Sequence, residues 1–190
     1  MAQDQSRYYS NVVSCGTGCQ DTSSPHACER IRPMTKMDIG PVISLIGQSM
    51  NESEGMQALK TFQFHFDCSS CGINDGRNYH VFVEDSSIAG VVGLHHEIWG
   101  PPESVWLAWF AVRPDMRSRG VGRTLLDFVI EKAKIQGYMK LFIETYSTPE
   151  FSAARAFYRA RGFAVAGGVK NYLPGGGNMV VFVKEISHAG

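Results

Sequence analysis

Residues 110–133 read FAVRPDMRSRGVGRTLLDFVIEKA. An apolar run ends at an Arg-Pro pair, three arginines and two glycines follow, and an apolar-periodic segment takes over. In the order strand, R-x-x-G-x-G, helix, the backbone N–H groups of residues 118–123 lie at a helix N-terminus. There they have no intrahelical acceptor, and the helix dipole places partial positive charge. Gly120 and Gly122 carry no side chain, so an oxyanion can approach the main chain. Arg117, Arg119 and Arg123 add full charges around the same point. Such a turn suits a phosphorylated ligand, a pyrophosphate above all. A triphosphate-binding P-loop requires Gly-Lys-Ser/Thr, and here Gly122 is followed by Arg-Thr. A dinucleotide fingerprint requires a third glycine where Leu125 stands. A glycine-softened turn with solvated arginines is the alternative.

Five cysteines offer a second chemistry. Cys15 and Cys19 form one close pair, Cys68 and Cys71 another, and Cys28 stands apart. Two pairs could complete a four-sulfur zinc site. The first spacing is three residues rather than two and the pairs are distant in sequence, so free thiols are expected and no metal is assigned.

The elements that must position these groups follow from pattern and punctuation. Residues 1–28 are polar, rich in Ser, Asp, Gln and Gly, and read as an extension preceding a domain at 29–190. ERIRPMT is a short strand. Asp38 is placed to cap a helix running to about Met50, with Pro41 in its first turn. GMQALKTFQFHFDCSSCGINDGRN predicts a second helix and a loop, although the alternation of Phe62, Phe64 and Phe66 favours a strand. YHVFVED and IAGVVGLHHEIW form a hairpin turning at Asp85-Ser86-Ser87. SVWLAWFAVRP, nearly all apolar, is expected at the centre of the sheet, closed by Pro114. A helix spans 120–136, with Val121, Leu125, Phe128 and Val129 on its apolar face and Gly137 as C-cap. KLFIETYS is a strand, PEFSAARAFYRARGF a helix ending at Gly162, and strands follow near 163–167 and at MVVFVKEI. The fold class is α/β: an antiparallel meander, then strand–helix–strand–helix–strand, in one domain with a mixed sheet.

Composition narrows the function. The 190 residues hold 18 Lys plus Arg and 18 Asp plus Glu, with 44% hydrophobic and 19% charged. No global basic field points to nucleic acid, so anion binding must be local. No apolar run approaches the ~20 residues of a membrane span, and no signal-peptide pattern opens the chain. A cytoplasmic location is the default expectation.

WLAWFAVRPDMRSRGVGRTLL, followed by a strand and then AFYRARGF, closely resembles the GNAT superfamily of acetyl-CoA-dependent N-acetyltransferases. The likeness runs from about Tyr79 to Ile186, with weaker support from residue 29. It implies a twisted, mostly antiparallel sheet flanked by helices and splayed between the central strand and its parallel neighbour KLFIETYS. It implies acetyl-CoA as acetyl donor, with Arg117, Ser118, Arg119, Gly120, Val121, Gly122 and Arg123 at the pyrophosphate. Phe110, Ala111 and Val112 would pair their backbone with the pantetheine arm. Tyr158 matches the family tyrosine that protonates the leaving thiolate, a role open to a phenol that stays protonated at neutral pH. A backbone N–H near the end of the central strand would face the developing oxyanion.

The general base is left open. The central strand has no titratable side chain between Val105 and Val112, and the candidates are Glu97, Glu103, Glu144, His95, His96 or water. Strand alternation sends His95 and His96 to opposite faces. Two departures stand out. An asparagine found in many relatives seven residues before the tyrosine is Phe151 here, beside Ser152, and a double aspartate after Pro-Gly is Gly176-Gly177, which predicts a more mobile loop.

The acceptor side, residues 38–66 and 169–178, carries Phe62, Phe64, Phe66 and Tyr172 but no strong carboxylate cluster besides Glu52, Glu54 and Asp67. The expected partner is a small-molecule or peptide amine, with no nucleic acid, no membrane and a homodimer as the candidate assembly. Two other classes remain: a non-catalytic acyl-CoA sensor or scaffold, and a metal-dependent interaction module built on the cysteines.

Overall fold

Local turn chemistry builds the first half of the sheet. In the computed structural model, which describes residues 30–186, strand β1 (Ile31–Pro33) pairs antiparallel with β2 (Arg77–Glu84). β2 pairs with β3 (Ser87–His95), and β3 with β4 (Ser104–Val112), both antiparallel. The β2–β3 hairpin turns at Asp85 and Ser86, whose φ angles of 47° and 61° are those a type I′ turn demands. β5 (Lys140–Tyr146) then lies parallel to β4. β6 (Ala164–Val169) and β7 (Met179–Glu185) finish the sheet by antiparallel pairing. The order β1-β2-β3-β4-β5-β7-β6 puts the apolar β4 fourth of seven, as its composition predicts. The result is a single α/β domain with a mostly antiparallel sheet and one parallel pair.

Helices cover both faces. α1 (Ile39–Ser49) and α2 (Glu52–Ser70) bury Val42, Ile46 and Phe62 against Val81 and Val91. α3 (Val121–Ile135) and α4 (Ser152–Ala160) pack Leu125, Leu126, Val129 and Tyr158 against Val92, Leu141, Ile143 and Phe182 on the other face. α3 lies between Gly120 and Gly137, whose φ angles of 87° and 84° favour glycine. Among the described residues no helix is long and apolar enough to cross a membrane.

Two local readings change. α2 runs as one helix through all three phenylalanines. Asn51 caps it by accepting the Glu54 N–H at 2.9 Å, and Phe62 and Phe66, one turn apart, face the core while Phe64 points outward. Three alternating aromatics were too short a sample to outweigh that start signal. Asp38 is the N-cap residue of α1 but its side chain accepts no N–H of that helix. Its carboxylate instead accepts both Arg32 Nη groups, at 2.7 and 2.8 Å, and the Thr35 N–H and hydroxyl. The Arg32 fork holds this carboxyl below the usual carboxylate range and ties the helix start to β1.

Candidate active site

The site begins as a gap in the sheet. β4 and β5 pair only at Ser104–Lys140, Val105–Leu141 and Trp106–Phe142. Beyond these three rows the strands part, the splay that the family resemblance implies. In the parting stretch β4 also bulges: Gly93 faces Ala108 and Val91 faces Ala111, so Trp109 and Phe110 together oppose Val92. Trp109 carries the strain, with φ 37°. A bulge leaves one residue of the strand without a ladder partner, here at the gap.

Past the end of β4 lies the arginine-glycine loop. A 3-10 turn over Pro114–Met116 leads to Ser118 at φ 60° and Gly120 at φ 87°. The first turn of α3 closes with the Thr124 N–H on the Gly120 carbonyl at 2.9 Å, which leaves the N–H groups of Val121, Gly122 and Arg123 without intrahelical acceptors. A Cβ on Gly120 would meet nothing within 4 Å, so the loop's concave side is open there. One on Gly122 would lie 3.6 Å from both the Phe110 ring and Val112. The loop and the end of β4 are therefore brought together, and the unpaired N–H groups of the helix start are of the kind that takes an anion.

The arginines are less free than their density in sequence suggests. Arg117 donates to the Ser49 carbonyl at 2.7 Å, at the end of α1. Ser49 in turn donates its hydroxyl to the Val112 carbonyl at 3.0 Å. Arg123 sits 3.7 Å from Asp127, which also pairs with Arg161. Arg119 reaches only the Met116 sulfur, at 3.7 Å.

Tyr158 lies on the α3/α4 face of the gap, 6% exposed. Phe110, Phe157, Phe163 and Phe182 surround its ring with centroids 5.8–6.3 Å away. Burial raises its pKa well above the ordinary phenol value, so the group is held protonated. On the same face of β5, Thr145 has a buried hydroxyl with no partner among the described residues. Phe151, standing where many relatives carry asparagine, packs edge-on against Tyr146 at 5.3 Å.

On the α1/α2 face the gap opens into a cavity of about 280 Å³ lined by His95, Glu97, Glu144, Trp106 and Trp109. His95 and His96 do point to opposite faces. His95 lines the cavity 3.4 Å from Glu97; burial pushes its pKa below the ordinary value, so it is neutral. His96 donates from Nδ1 to the Ser104 carbonyl at 3.0 Å and lies against Tyr138. Glu103 sits at the closed, hydrogen-bonded end of the gap, its carbonyl accepting from Met139 and Lys140. Of the five base candidates, the cavity gathers three: His95, Glu97 and Glu144.

The fold also assembles carboxylates that the sequence scatters. Glu54, on the first turn of α2, is near enough to Glu144 for its pKa to rise, with burial the larger cause. Glu144 accepts the Tyr146 hydroxyl at 3.1 Å, and Tyr146 stacks on Tyr172. The loop at Gly176-Gly177 is a closed turn rather than a loose one. Leu173 and Gly177 are hydrogen-bonded at 2.9 Å, Gly176 has φ 86°, and a Cβ on Gly177 would lie 2.7 Å from Thr148. Cys68 and Cys71 are free thiols at the end of α2, and among the described residues no three potential ligands converge on a metal position. Cys15, Cys19, Cys28 and the 1–28 extension lie outside the described residues.

Comparison with known proteins agrees with this arrangement. The model of the acetyltransferase (GNAT) family matches residues 45–163. A ribosomal protein bS18-alanine N-acetyltransferase of Salmonella typhimurium is 38% identical over 64 residues, 34% of this chain and 42% of that one; the chain thus matches less than half of that relative's length. A solved GNAT-family structure from Desulfovibrio desulfuricans superposes with TM-score 0.74 at 22% identity, covering 83% of this chain and 98% of its own. An aminoglycoside 6'-N-acetyltransferase complexed with coenzyme A superposes at 0.66 and 13% identity, over 84% and 98% of the two chains. Because the family model spans most of the chain, from α1 through the loop to the end of α4, this protein belongs to the GNAT acetyltransferase family.

Proposed function

We propose that the protein transfers the acetyl group of acetyl-CoA to a primary amine of a small molecule or peptide by direct attack. The observation that carries this reading is the gap itself. An anion cradle stands beyond its open end, a buried phenol on one face, and a carboxylate-bearing cavity on the other. When bound, acetyl-CoA supplies a thioester carbon as electrophile and a thiolate as leaving group. The N–H groups of Val121, Gly122 and Arg123, with the α3 dipole, hold the diphosphate. Phe110, Ala111 and Val112 present main-chain groups along the gap, and Thr145 adds a buried hydroxyl on β5.

The remaining residues handle protons. An alkylamine with pKa near 10.4 arrives as ammonium and must lose a proton to attack. Glu144, on the cavity side, is the acceptor, with neutral His95 and Glu97 beside it. The unpaired N–H of the β4 bulge faces the carbonyl oxygen that gains charge. Tyr158, on the opposite face, keeps its proton until the sulfur requires it. Acid and base are thus separated by the strand gap rather than side by side.

Titration calorimetry of acetyl-CoA, with NAD and ATP as controls, tests the donor. Micromolar binding confined to acetyl-CoA is expected, followed by amine-dependent thiol release. Gly120→Val, which forces a β-branched residue into left-handed backbone at the cradle, should abolish that binding. Absence of binding by the wild type would remove the donor assignment. Binding without thiol release for any amine would leave the sensor or scaffold role.

A further inference from the structure

The cavity has two chemically different ends. Cross-strand register sets Arg77, His95 and Trp106 in one row and Tyr79, Gly93 and Ala108 in the next. Glu144 closes the β5 side. Glu144 thus marks the β5 end and Arg77 and Tyr79 the β2 end, while Glu97 sits beside His95 between them. Tyr79 is 3% exposed, and its hydroxyl, buried in the cavity wall, has no partner among the described residues. Its ring lies so close to β3 that a Cβ on Gly93 would be 2.4 Å from it. A buried hydroxyl is costly to leave unpaired, and one on a residue that lines a cavity can take its partner from what fills that cavity.

Arg77 is held ready beside it. Nη1 donates to Asp75 at 3.1 Å, and the guanidinium lies over the Phe64 ring at 5.8 Å. Asp75, 7% exposed, also accepts the Arg77 backbone N–H at 3.1 Å and faces His65 Nδ1 at 2.9 Å. This network fixes the arginine at the wall of the cavity it lines. Between the ends stands neutral His95. A ligand that satisfies both ends carries an ammonium and an anionic oxygen group. Where β4 and β5 still pair, β2 and β5 are three strand spacings apart, about 14 Å between backbones, and the cavity of about 280 Å³ has the room of a short molecule.

We propose that the acceptor is a small amphoteric amine of the amino-acid type. Its carboxylate is taken by the Arg77 guanidinium and the Tyr79 hydroxyl, and its amine is turned toward Glu144. This rests on the transferase reading above. In the reaction the N–C bond forms at the acceptor amine as the C–S bond of acetyl-CoA breaks, giving an N-acetyl amino acid and free CoA. Of the two protons the ammonium gives up, one leaves to solvent by way of Glu144. The other balances the proton that Tyr158 delivers to sulfur.

The test pairs acids with their amides: γ-aminobutyrate with γ-aminobutyramide, and alanylglycine with alanylglycinamide. Thiol release and calorimetric binding are both measured. A charged hydrogen bond is worth about 1.5–3 kcal/mol, so KM for each acid should lie about tenfold or more below that of its amide. Tyr79→Phe removes an unpartnered hydroxyl and so should fold, and it should collapse the acid-to-amide ratio of kcat/KM. Arg77→Lys keeps the Asp75 pair but loses the fork, and should do the same. Amides used as well as acids, or a ratio unchanged in Tyr79→Phe, would overturn the proposal while the transferase reading stands; preference for the dipeptide amide would point to a peptide N-terminus. If no amine releases thiol, calorimetry decides separately. Acid-selective binding lost in Tyr79→Phe supports the donor end while sinking the transferase reading, and no selectivity overturns the acceptor class.

Discussion

Tyr158 carries a hydroxyl into a ring of four phenylalanines and bonds to nothing there among the described residues. Its packing and its chemistry are therefore separable. Tyr158→Phe keeps every ring contact and removes only the proton donor, so the fold and the acetyl-CoA dissociation constant should be preserved. The catalytic rate should fall about 10²-fold, the usual scale for one general acid. Steady-state thiol release beside acetyl-CoA calorimetry checks both halves, and an unaltered rate would assign thiolate protonation elsewhere. At this scale the sequence was informative for side chains inside short motifs. Arg117 to Arg123 and Tyr158 stand in patterns whose spacing is local. It named Glu54 only among a few scattered carboxylates and was silent on Arg77 and Tyr79, because nothing near them in the chain marks them. They join the site only because the fold gathers β2, α2 and β5 around one cavity, with Glu54 reaching Glu144 across 90 positions of sequence.

Among the elements, α2 is the one with conflicting signals in the sequence, a helix being expected and a strand competing with it. It roofs the cavity through Thr61 and contributes Glu54 to the mouth, yet it has low mean hydropathy and a misleading phenylalanine alternation. Its cap is the local signal that decides it. Asn51→Ala removes the bond to the Glu54 N–H and should cost about 1 kcal/mol, read as a fall of a few degrees in melting temperature. A variant melting with the wild type would mean that Glu52 and Glu54 hold the helix start without the cap. β4 and α3 were legible for the opposite reason. Each is long, strongly patterned and bounded by proline or glycine, so local preference and tertiary position agree. The β4 bulge was not legible: a tryptophan at positive φ is imposed by the strands around it, and no residue type announces it.

For the whole molecule, acid stability has two stages, with His80 the most shifted of the described histidines in the upper one and Asp38 the most shifted carboxylate in the lower. His80, on β2 against the Phe128 ring, is 6% exposed with an unpartnered Nδ1. Burial first, and the Lys132 charge second, push its pKa down to about 4. The unfolded chain, with the ordinary value near 6.5, binds the extra proton first. Stability is thus complete above about pH 6.5 and declines as pH falls toward 4, by an amount of order 3 kcal/mol. Asp38 acts lower: its folded pKa is depressed, so its contribution is present above about pH 4 and is lost only beneath it. Melting temperatures of the wild type and His80→Leu should separate as pH falls from 6.5 to 4, with the wild type falling faster; parallel curves would show that His80 does not own the upper stage. The three-row seam between β4 and β5 bears on the same balance. The sheet is in effect two plates, β1–β4 and β5–β7, riveted by three backbone pairings and the shared core under α3. Whatever fills the seam touches both plates and is lost when either one opens, so it acts as a thermodynamic clamp. At a thousandfold excess over its dissociation constant such a clamp adds about 4 kcal/mol, and the melting temperature becomes a gauge of seam occupancy that needs no turnover to be read.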